Sequence, residues 1–214
     1  MAKKSKGSSN YVRTGSVFSS FWTWRVSRRW RLPIAYFLTI QQVAIPLVAG
    51  VAQSIRTDGR TQTTVTTQGK VTDITTKTIR NTNAFNSFST FDVAQDNTVN
   101  LWLPGGTQNL INIVRDQQMN VYGILNAIKD GKIGGNVYFA DPAGFVVGRT
   151  GVVNVGSLSL ATPNQSFVNN FFQAPGNPDD SAVAQLLSGK APRSDTGLIN
   201  IQGQIGRASC RERV

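Results

Sequence analysis

Short apolar segments that recur along the second half of the chain constrain its fold more than any other feature. They are separated by Gly, Asn and Asp, and they span residues 109–114, 121–128, 137–140, 145–147, 152–160 and 198–201. Several restart at intervals of about 15–16 residues, at Val121, Val137 and Val152. Each segment is too short to bury its own face, whereas stacked segments bury a continuous core. The pattern predicts an all-β protein, either a parallel β-helix or a β-sandwich.

The Asn and Gly residues between the apolar segments favour the β-helix. Both residue types tolerate the left-handed backbone of tight corners, and Asn side chains can stack in ladders. We therefore expect coil corners at Asn109, Asn112, Asn126, Asn136 and Asn154.

Residues 136–162 contain two apolar strand patterns joined by a turn. Apolar residues alternate with a period of two, which indicates strands with one buried face. Asp141-Pro142-Ala143-Gly144 fits a type I turn, because Asp is favoured at its first position, Pro at its second and Gly at its fourth. Asp141 is expected to have a structural part in this turn.

Two earlier segments are predicted to be extended. Residues 61–78 are rich in Thr and β-branched residues, with a turn at Gln68-Gly69 between two strands; a disordered leader is the alternative. Phe85, Phe88 and Phe91 recur every three residues, but the Asn, Ser and Thr between them disfavour a helix interior. We predict an irregular strand there, whose phenylalanines cap an apolar core.

One short helix is predicted over residues 182–187. Asp179 and Asp180 precede the run of Ala and Leu, and Gly189 and Pro192 follow it. Carboxylates at a helix start accept hydrogen bonds from free N–H groups and interact favourably with the helix dipole. We therefore assign this Asp pair to helix capping rather than to acid–base chemistry.

The formal net charge of +11 is concentrated at the N-terminus. Residues 1–52 contain eight Lys or Arg and no acidic residue, whereas residues 53–204 contain eleven Lys or Arg and ten Asp. The central region is nearly neutral, so electrostatic capture of phosphate has little to act on there. Binding of nucleic acid is not expected.

Residues 1–52 are predicted to be a long export signal for the Sec machinery. A basic n-region precedes an apolar stretch over residues 33–51, and small residues suggest cleavage between Ala52 and Gln53. A transmembrane anchor is the alternative, because the stretch approaches the roughly 20 residues that a span requires. Two Gln and one Pro interrupt the stretch, which favours the cleaved signal.

The last ten residues, 205–214, depart from the preceding pattern. They contain Cys210, the only Cys in the chain, and the only Glu. They resemble the translation of a short sequencing adapter, with a genuine basic tail as the alternative. On the first interpretation, the exported region over residues 53–204 is truncated and lacks Cys, which suits export in a reduced, unfolded form.

Chemistry that depends on His is excluded, because the chain contains none. The usual zinc sites and nucleophile–His pairs therefore cannot form. Gly144, Gly148 and Gly151 match neither a dinucleotide fingerprint nor a Walker loop. We predict a protein that is not an enzyme, with no catalytic or metal-binding residues and no cofactor.

Two motifs support a family resemblance over about Ala84 to Thr162. Residues 84–93 resemble the aromatic-rich early motif of the N-terminal secretion domain, of the haemagglutination-activity type, found in two-partner-secretion exoproteins of the filamentous-haemagglutinin family. Residues 141–148 resemble the Asn-Pro-Asn-Gly segment of that family. The candidate motif residues are Phe85, Asn86, Phe88 and Phe91 in the first motif, and Asp141, Pro142, Ala143, Gly144 and Gly148 in the second.

The second motif departs from the family pattern, because Asp141 and Ala143 replace its two asparagines. The turn is expected to survive, since an Asp side chain caps such a turn as Asn does. Recognition would be altered if a partner reads the Asn amides directly.

The resemblance implies a right-handed parallel β-helix with a small extra antiparallel sheet. It implies that periplasmic domains of a dedicated outer-membrane pore protein recognise the unfolded chain, which then folds coil by coil at the surface of a Gram-negative bacterium. A missing downstream region would carry adhesion, haemolysis or toxicity as a virulence function, and would contact a host or neighbouring-cell surface.

Two other functions stay open. A secreted β-helix hydrolase or lyase acting on polysaccharide would need clustered acidic or basic residues on one face. An autotransporter passenger would carry its own C-terminal barrel.

Overall fold

The structure is a computed structural model that describes residues 53–207. The predicted export signal, including Ala52, and residues 208–214 lie outside the described residues. The strands are β1 Ser54–Thr57, β2 Thr63–Gln68, β3 Val71–Thr76, β4 Ile79–Arg80, β5 Asn83–Val93, β6 Thr98–Trp102, β7 Asn109–Val114, β8 Met119–Val121, β9 Ile124–Lys129, β10 Lys132–Ile133, β11 Asn136–Ala140, β12 Gly144–Val147, β13 Val152–Val155, β14 Ser157–Ala161, β15 Phe172–Ala174, β16 Asn177–Pro178, β17 Leu198–Ile201 and β18 Gln204–Arg207. The helices are α1 Gln165–Asn170 and α2 Asp180–Leu187.

Parallel strands stack into a β-solenoid of about three turns. The strands β7, β8 and β9 form one turn, and β11, β12 and β13 form the next, so that each turn contributes a strand to three faces. The long strand β5 belongs to two faces, because its first half pairs with β7 and its end pairs with β8. The prediction of an all-β parallel β-helix is confirmed, and the β-sandwich alternative is wrong.

The repeat that stacks is longer than the spacing noted in the sequence. Asn side chains that bond to each other on neighbouring turns lie 26, 27 or 28 residues apart. Val121, Val137 and Val152 instead lie on β8, β11 and β13, which belong to three different faces. The interval of about 15–16 residues was wrong as a repeat length, because the strands of different faces carry similar apolar patterns.

Ladders of Asn side chains join the turns from within the strands. Asn109 Nδ2 donates to Asn83 Oδ1 at 2.8 Å, and Asn136 Nδ2 donates to Asn109 Oδ1 at 3.0 Å. A second ladder joins Asn100, Asn126 and Asn154 on β6, β9 and β13 at 3.0 Å each.

The predicted stacking of Asn is therefore confirmed, but its predicted place at left-handed corners is wrong. All five predicted Asn residues lie within strands, where the backbone is extended and the amides meet across neighbouring turns. The residues other than Gly with positive φ in the described region are Asn81, Asp96 and Asp130.

Antiparallel strands cover the N-terminal end of the solenoid. The strands β2 and β3 form a hairpin around Gly69, whose φ is 58°, and β1 pairs antiparallel with β5. This hairpin confirms the predicted strands on either side of Gln68-Gly69, and the disordered leader is wrong. A separate small antiparallel pair, β15 and β16, lies between the two helices in the chain.

The two helices lie in an insertion between β14 and β17. Helix α2 confirms the predicted helix, and its cap is Asp179, whose Oδ1 accepts the Ala182 N–H at 2.8 Å. Asp180 lies in the first helical turn and pairs with Arg80 at 2.7 Å. Helix α1 was not predicted; Asn164 caps it by accepting the Phe167 N–H at 2.8 Å.

The solenoid resumes after the insertion. Strand β17 pairs in parallel with β12, and β18 pairs in parallel with β13, which agrees with the coil expected near residues 198–201. Residues 205–207 continue β18. Both interpretations of residues 205–214, the adapter translation and the genuine basic tail, stay predictions. Neither α1 nor α2 is long and apolar enough to cross a membrane.

A substitution at Asn112 tests the contribution of the Asn ladders. Its fully buried amide donates to Tyr138 O at 3.2 Å and accepts from Asn86 Nδ2 at 3.0 Å. We expect Asn112→Ala to lower the free energy of unfolding by about 2 kcal/mol, because buried partners lose a hydrogen bond. Chemical denaturation measures this, with the exposed Asn170→Ala as control. Equal effects of the two substitutions would contradict the role of the ladder.

Candidate functional site

The side chain of Asp141 organises the predicted turn. Its Oδ1 accepts the Ala143 N–H at 2.8 Å, and its backbone carbonyl accepts the Gly144 N–H at 3.2 Å, which closes the four-residue turn. Its Oδ2 accepts the Met119 N–H at 2.9 Å. Met119 begins β8, in the preceding turn of the solenoid, so one carboxylate both closes a corner and ties two turns together.

Asp suits this position because both of its oxygens accept hydrogen bonds. An Asn side chain has one acceptor oxygen, and its NH₂ group would face one of the two backbone N–H donors. Asp141, which stands where the family pattern has Asn, therefore accepts two backbone hydrogen bonds through its side chain. An Asn in the same orientation would accept only one of them.

Burial raises the pKa of Asp141 to about 7, although hydrogen bonds from Ala143 and Met119 favour the charged form. The carboxyl is completely buried, and the charge of Asp92 raises its pKa further. Burial also raises the pKa of Asp92, which accepts hydrogen bonds from the backbone and side-chain amides of Asn120. Two buried carboxylates thus hold consecutive residues of β8.

Close packing leaves no room for a side chain at two glycines of the motif. Gly144 has a φ of 104°, and a Cβ there would lie 2.2 Å from Leu198 O. A Cβ at Gly148 would lie 2.3 Å from the ring of Tyr122. At Gly144 a side chain meets both backbone strain and immovable backbone atoms, so this position accepts only glycine.

The other two residues of the turn differ in exposure. Pro142 is buried, and Ala143 is exposed. Ala143 is therefore the one residue of this turn whose side chain can be exchanged with little effect on the packing.

The aromatic motif is divided between two sides of one strand. Phe88 and Phe91 point into the core, where their ring centroids are 5.0 Å apart, and Phe91 lies 5.5 Å from Phe139. Phe139 in turn lies 6.1 Å from Phe145. Because Phe139 and Phe145 flank the Asp141 turn, the core brings the two predicted motifs into contact through their aromatic rings.

Phe85 and Asn86 have different surroundings. Phe85 packs 6.3 Å from both Phe171 and Phe172 of the helical insertion, in a second apolar cluster. The prediction that all three phenylalanines cap one core was therefore wrong for Phe85, since the strand is buried on both faces. The buried Asn86 accepts from the Thr63 hydroxyl at 2.8 Å and takes part in the ladder with Asn112.

Gln53, the residue after the predicted cleavage site, is bound to the solenoid. Its Oε1 accepts the Ala94 N–H at 3.0 Å and the Asn97 Nδ2 at 3.3 Å. The cleavage itself stays a prediction.

A buried ion pair is part of the fold that sequence reasoning missed. Arg115 Nε lies 2.7 Å from Asp58 Oδ2, and both side chains are nearly inaccessible. The Ser87 hydroxyl donates to the same carboxylate oxygen at 2.7 Å. The pair joins the N-terminal cap to the corner after β7. Two residues so far apart in the chain carry no local signal that they meet.

The chemistry of these residues is structural. Within residues 53–207 there is no group of three or more His, Cys, Asp or Glu that could hold a metal ion. The motif residues Phe85, Asn86, Phe88, Phe91, Asp141, Pro142, Gly144 and Gly148 are buried in the folded solenoid. The site is therefore a packed junction between turns.

Comparison with known proteins gives one family. A family model described as the TPS secretion domain matches residues 52–207, which is most of the chain and all of the described fold. A search of curated proteins finds no match.

The raised pKa of Asp141 predicts a specific pH dependence. The folded state binds a proton more tightly than the unfolded state, so the free energy of unfolding falls as pH rises from about 4 to about 7. A shift from 3.8 to about 7 corresponds to up to about 4 kcal/mol. We expect Asp141→Asn to remove this contribution. The free energy of unfolding of the wild type minus that of the variant should therefore decrease as pH rises through the same range.

Denaturation curves at a series of pH values measure the effect. A difference that does not change with pH would contradict the buried, proton-binding carboxyl. The control is Asp195→Asn, which removes a carboxyl from an exposed position outside the junction.

Proposed function

Because this chain belongs to the TPS secretion domain family, we propose that it directs a larger adhesin or exotoxin through a dedicated outer-membrane pore protein. Members of this family are recognition domains of two-partner secretion with a β-helix fold. Their role is targeting rather than catalysis. It implies a partner transporter in the outer membrane and secretion by a Gram-negative bacterium. The identity of the pore protein and of the cargo belongs to the proposal.

The burial of the motif residues supports recognition before folding. Asp141, Gly144 and Phe91 have no accessible surface, or almost none, once the solenoid has formed. A partner that reads these residues must therefore meet them in an extended chain. We propose that periplasmic domains of the pore protein bind such segments by strand addition, in which backbone hydrogen bonds supply affinity and side-chain pockets supply specificity.

The contacts of Asp141 also support folding from the N-terminus. Its carboxylate needs the Met119 N–H of the preceding turn, and Phe139 needs Phe91 from an earlier strand. The second motif therefore reaches its folded arrangement only on turns that have already formed. Folding in this order outside the pore would oppose return of the chain.

The remaining parts of the proposal concern the rest of the pathway. Residues 1–52 would bring the chain to the periplasm through the Sec machinery, with cleavage between Ala52 and Gln53. The cargo downstream would act at a host or neighbouring-cell surface, as a virulence factor.

A secretion assay with the full chain and its pore protein tests the function. We expect the chain to reach the medium only when the pore protein is co-expressed, and secretion without the pore protein would contradict the proposal. We expect Gly144→Val to reduce secretion at least tenfold, because the strained turn blocks folding at the surface. The control is Gly105→Val, where a Cβ meets no atom within 4 Å.

A substitution at Ala143 distinguishes an effect on recognition from an effect on folding. Because its side chain is exposed, Ala143→Asn should leave the free energy of unfolding within about 0.5 kcal/mol of wild type. If the partner reads the turn, this variant changes the efficiency of secretion with the native pore protein. Unchanged secretion together with unchanged stability would mean that this position is not read.

A further inference from the structure

The strand β2 is a free sheet edge. It is the last strand of its seven-stranded sheet, and among residues 53–207 it pairs with β3 alone. Thr64, Thr66 and Thr67 are exposed, whereas Val65 packs partly against the core.

Alternation along the hairpin shows which backbone groups face outward. The Lys77 N–H donates to Gln62 O, so residues 62, 64, 66 and 68 direct their backbone groups toward β3. On the other side of β3, the Thr98 N–H donates to Lys70 O, which gives the same alternation. The N–H and C=O groups of Thr63, Val65 and Thr67 therefore point away from the sheet.

This edge lacks the devices that usually protect one. Exposed edge strands commonly carry charged residues, Pro or a bulge that prevent pairing with another chain. Residues 62–68 contain no charged residue and no Pro, and the register with β3 is continuous.

The sequence of the edge is a palindrome. Residues 62–68 read Gln-Thr-Thr-Val-Thr-Thr-Gln in both directions about Val65. In an antiparallel pair centred on Val65, this residue faces Val65 of a second copy, and Thr63 faces Thr67. These are the three residues whose N–H and C=O groups point outward, so every outward group meets its counterpart.

We propose that β2 is a self-association surface, at which two copies of this chain pair antiparallel about a two-fold axis through Val65. The occupant is a second copy because the edge is complementary to itself, as a two-fold interface requires. Its lack of charge means that two copies meet without like-charge repulsion. The pairing is weak, because a single strand edge buries less than the about 1,200 Å² of a standard interface. This inference does not depend on the proposed function.

Cysteine cross-linking tests the register in the full chain. In the proposed pair, Thr64 faces Thr66 of the second copy at a Cα separation of about 4.5 Å, within the range of a disulfide. Thr64→Cys and Thr66→Cys are made separately in a Cys210→Ser background, which removes the only other cysteine. We expect mild oxidation of an equal mixture to give disulfide-linked heterodimers at least tenfold above the homodimers from either variant alone.

The single variants are matched controls for each other. Absence of cross-linking in the mixture, or equal cross-linking of each variant with itself, would overturn the proposal. Thr67→Pro added to both variants removes an outward N–H that β3 does not use, so it should abolish the heterodimer while circular dichroism stays unchanged. Cross-linking that persists with Thr67→Pro would also overturn it.

Discussion

The in-register stacking of like residues on neighbouring turns is the interaction on which the rest of the structure depends. Parallel pairing places Asn on Asn and apolar residue on apolar residue, so each turn supplies both the hydrogen-bond partners and the core contacts of the next. The buried Asn112 makes this dependence clear, because its amide bonds to Asn86 on one adjacent turn and to the Tyr138 carbonyl on the other. No single turn is stable in isolation.

The junction at Asp141 connects this stacking with the proposed export. If export proceeds as proposed, the residues that a partner would recognise are the same residues that later pack into the core. The structure is therefore consistent with a protein that has two successive uses for one segment. Only Ala143, which faces solvent, is free to change without affecting the packing.

Several features could be predicted from the sequence because their causes are local. The Asp-Pro-x-Gly turn, the Thr-rich hairpin and the cap at Asp179 each depend on neighbouring residues and were recognised. The true repeat was not, because strands of different faces look alike until their partners are known. The ion pair of Asp58 and Arg115 and the outward packing of Phe85 depend on contacts between distant segments.

The helical insertion has a consequence for the rate of folding. In the first turns, the parallel strands β7 and β11 each pair with a strand only about one turn earlier in the chain. Val152 of β13, in contrast, pairs with Gln204 of β18, which follows both helices in the chain. Folding slows as the sequence separation of contacts grows, although the entropic cost of closing a loop rises only slowly with its length. We therefore expect the turn after the insertion to form more slowly than the turns before it.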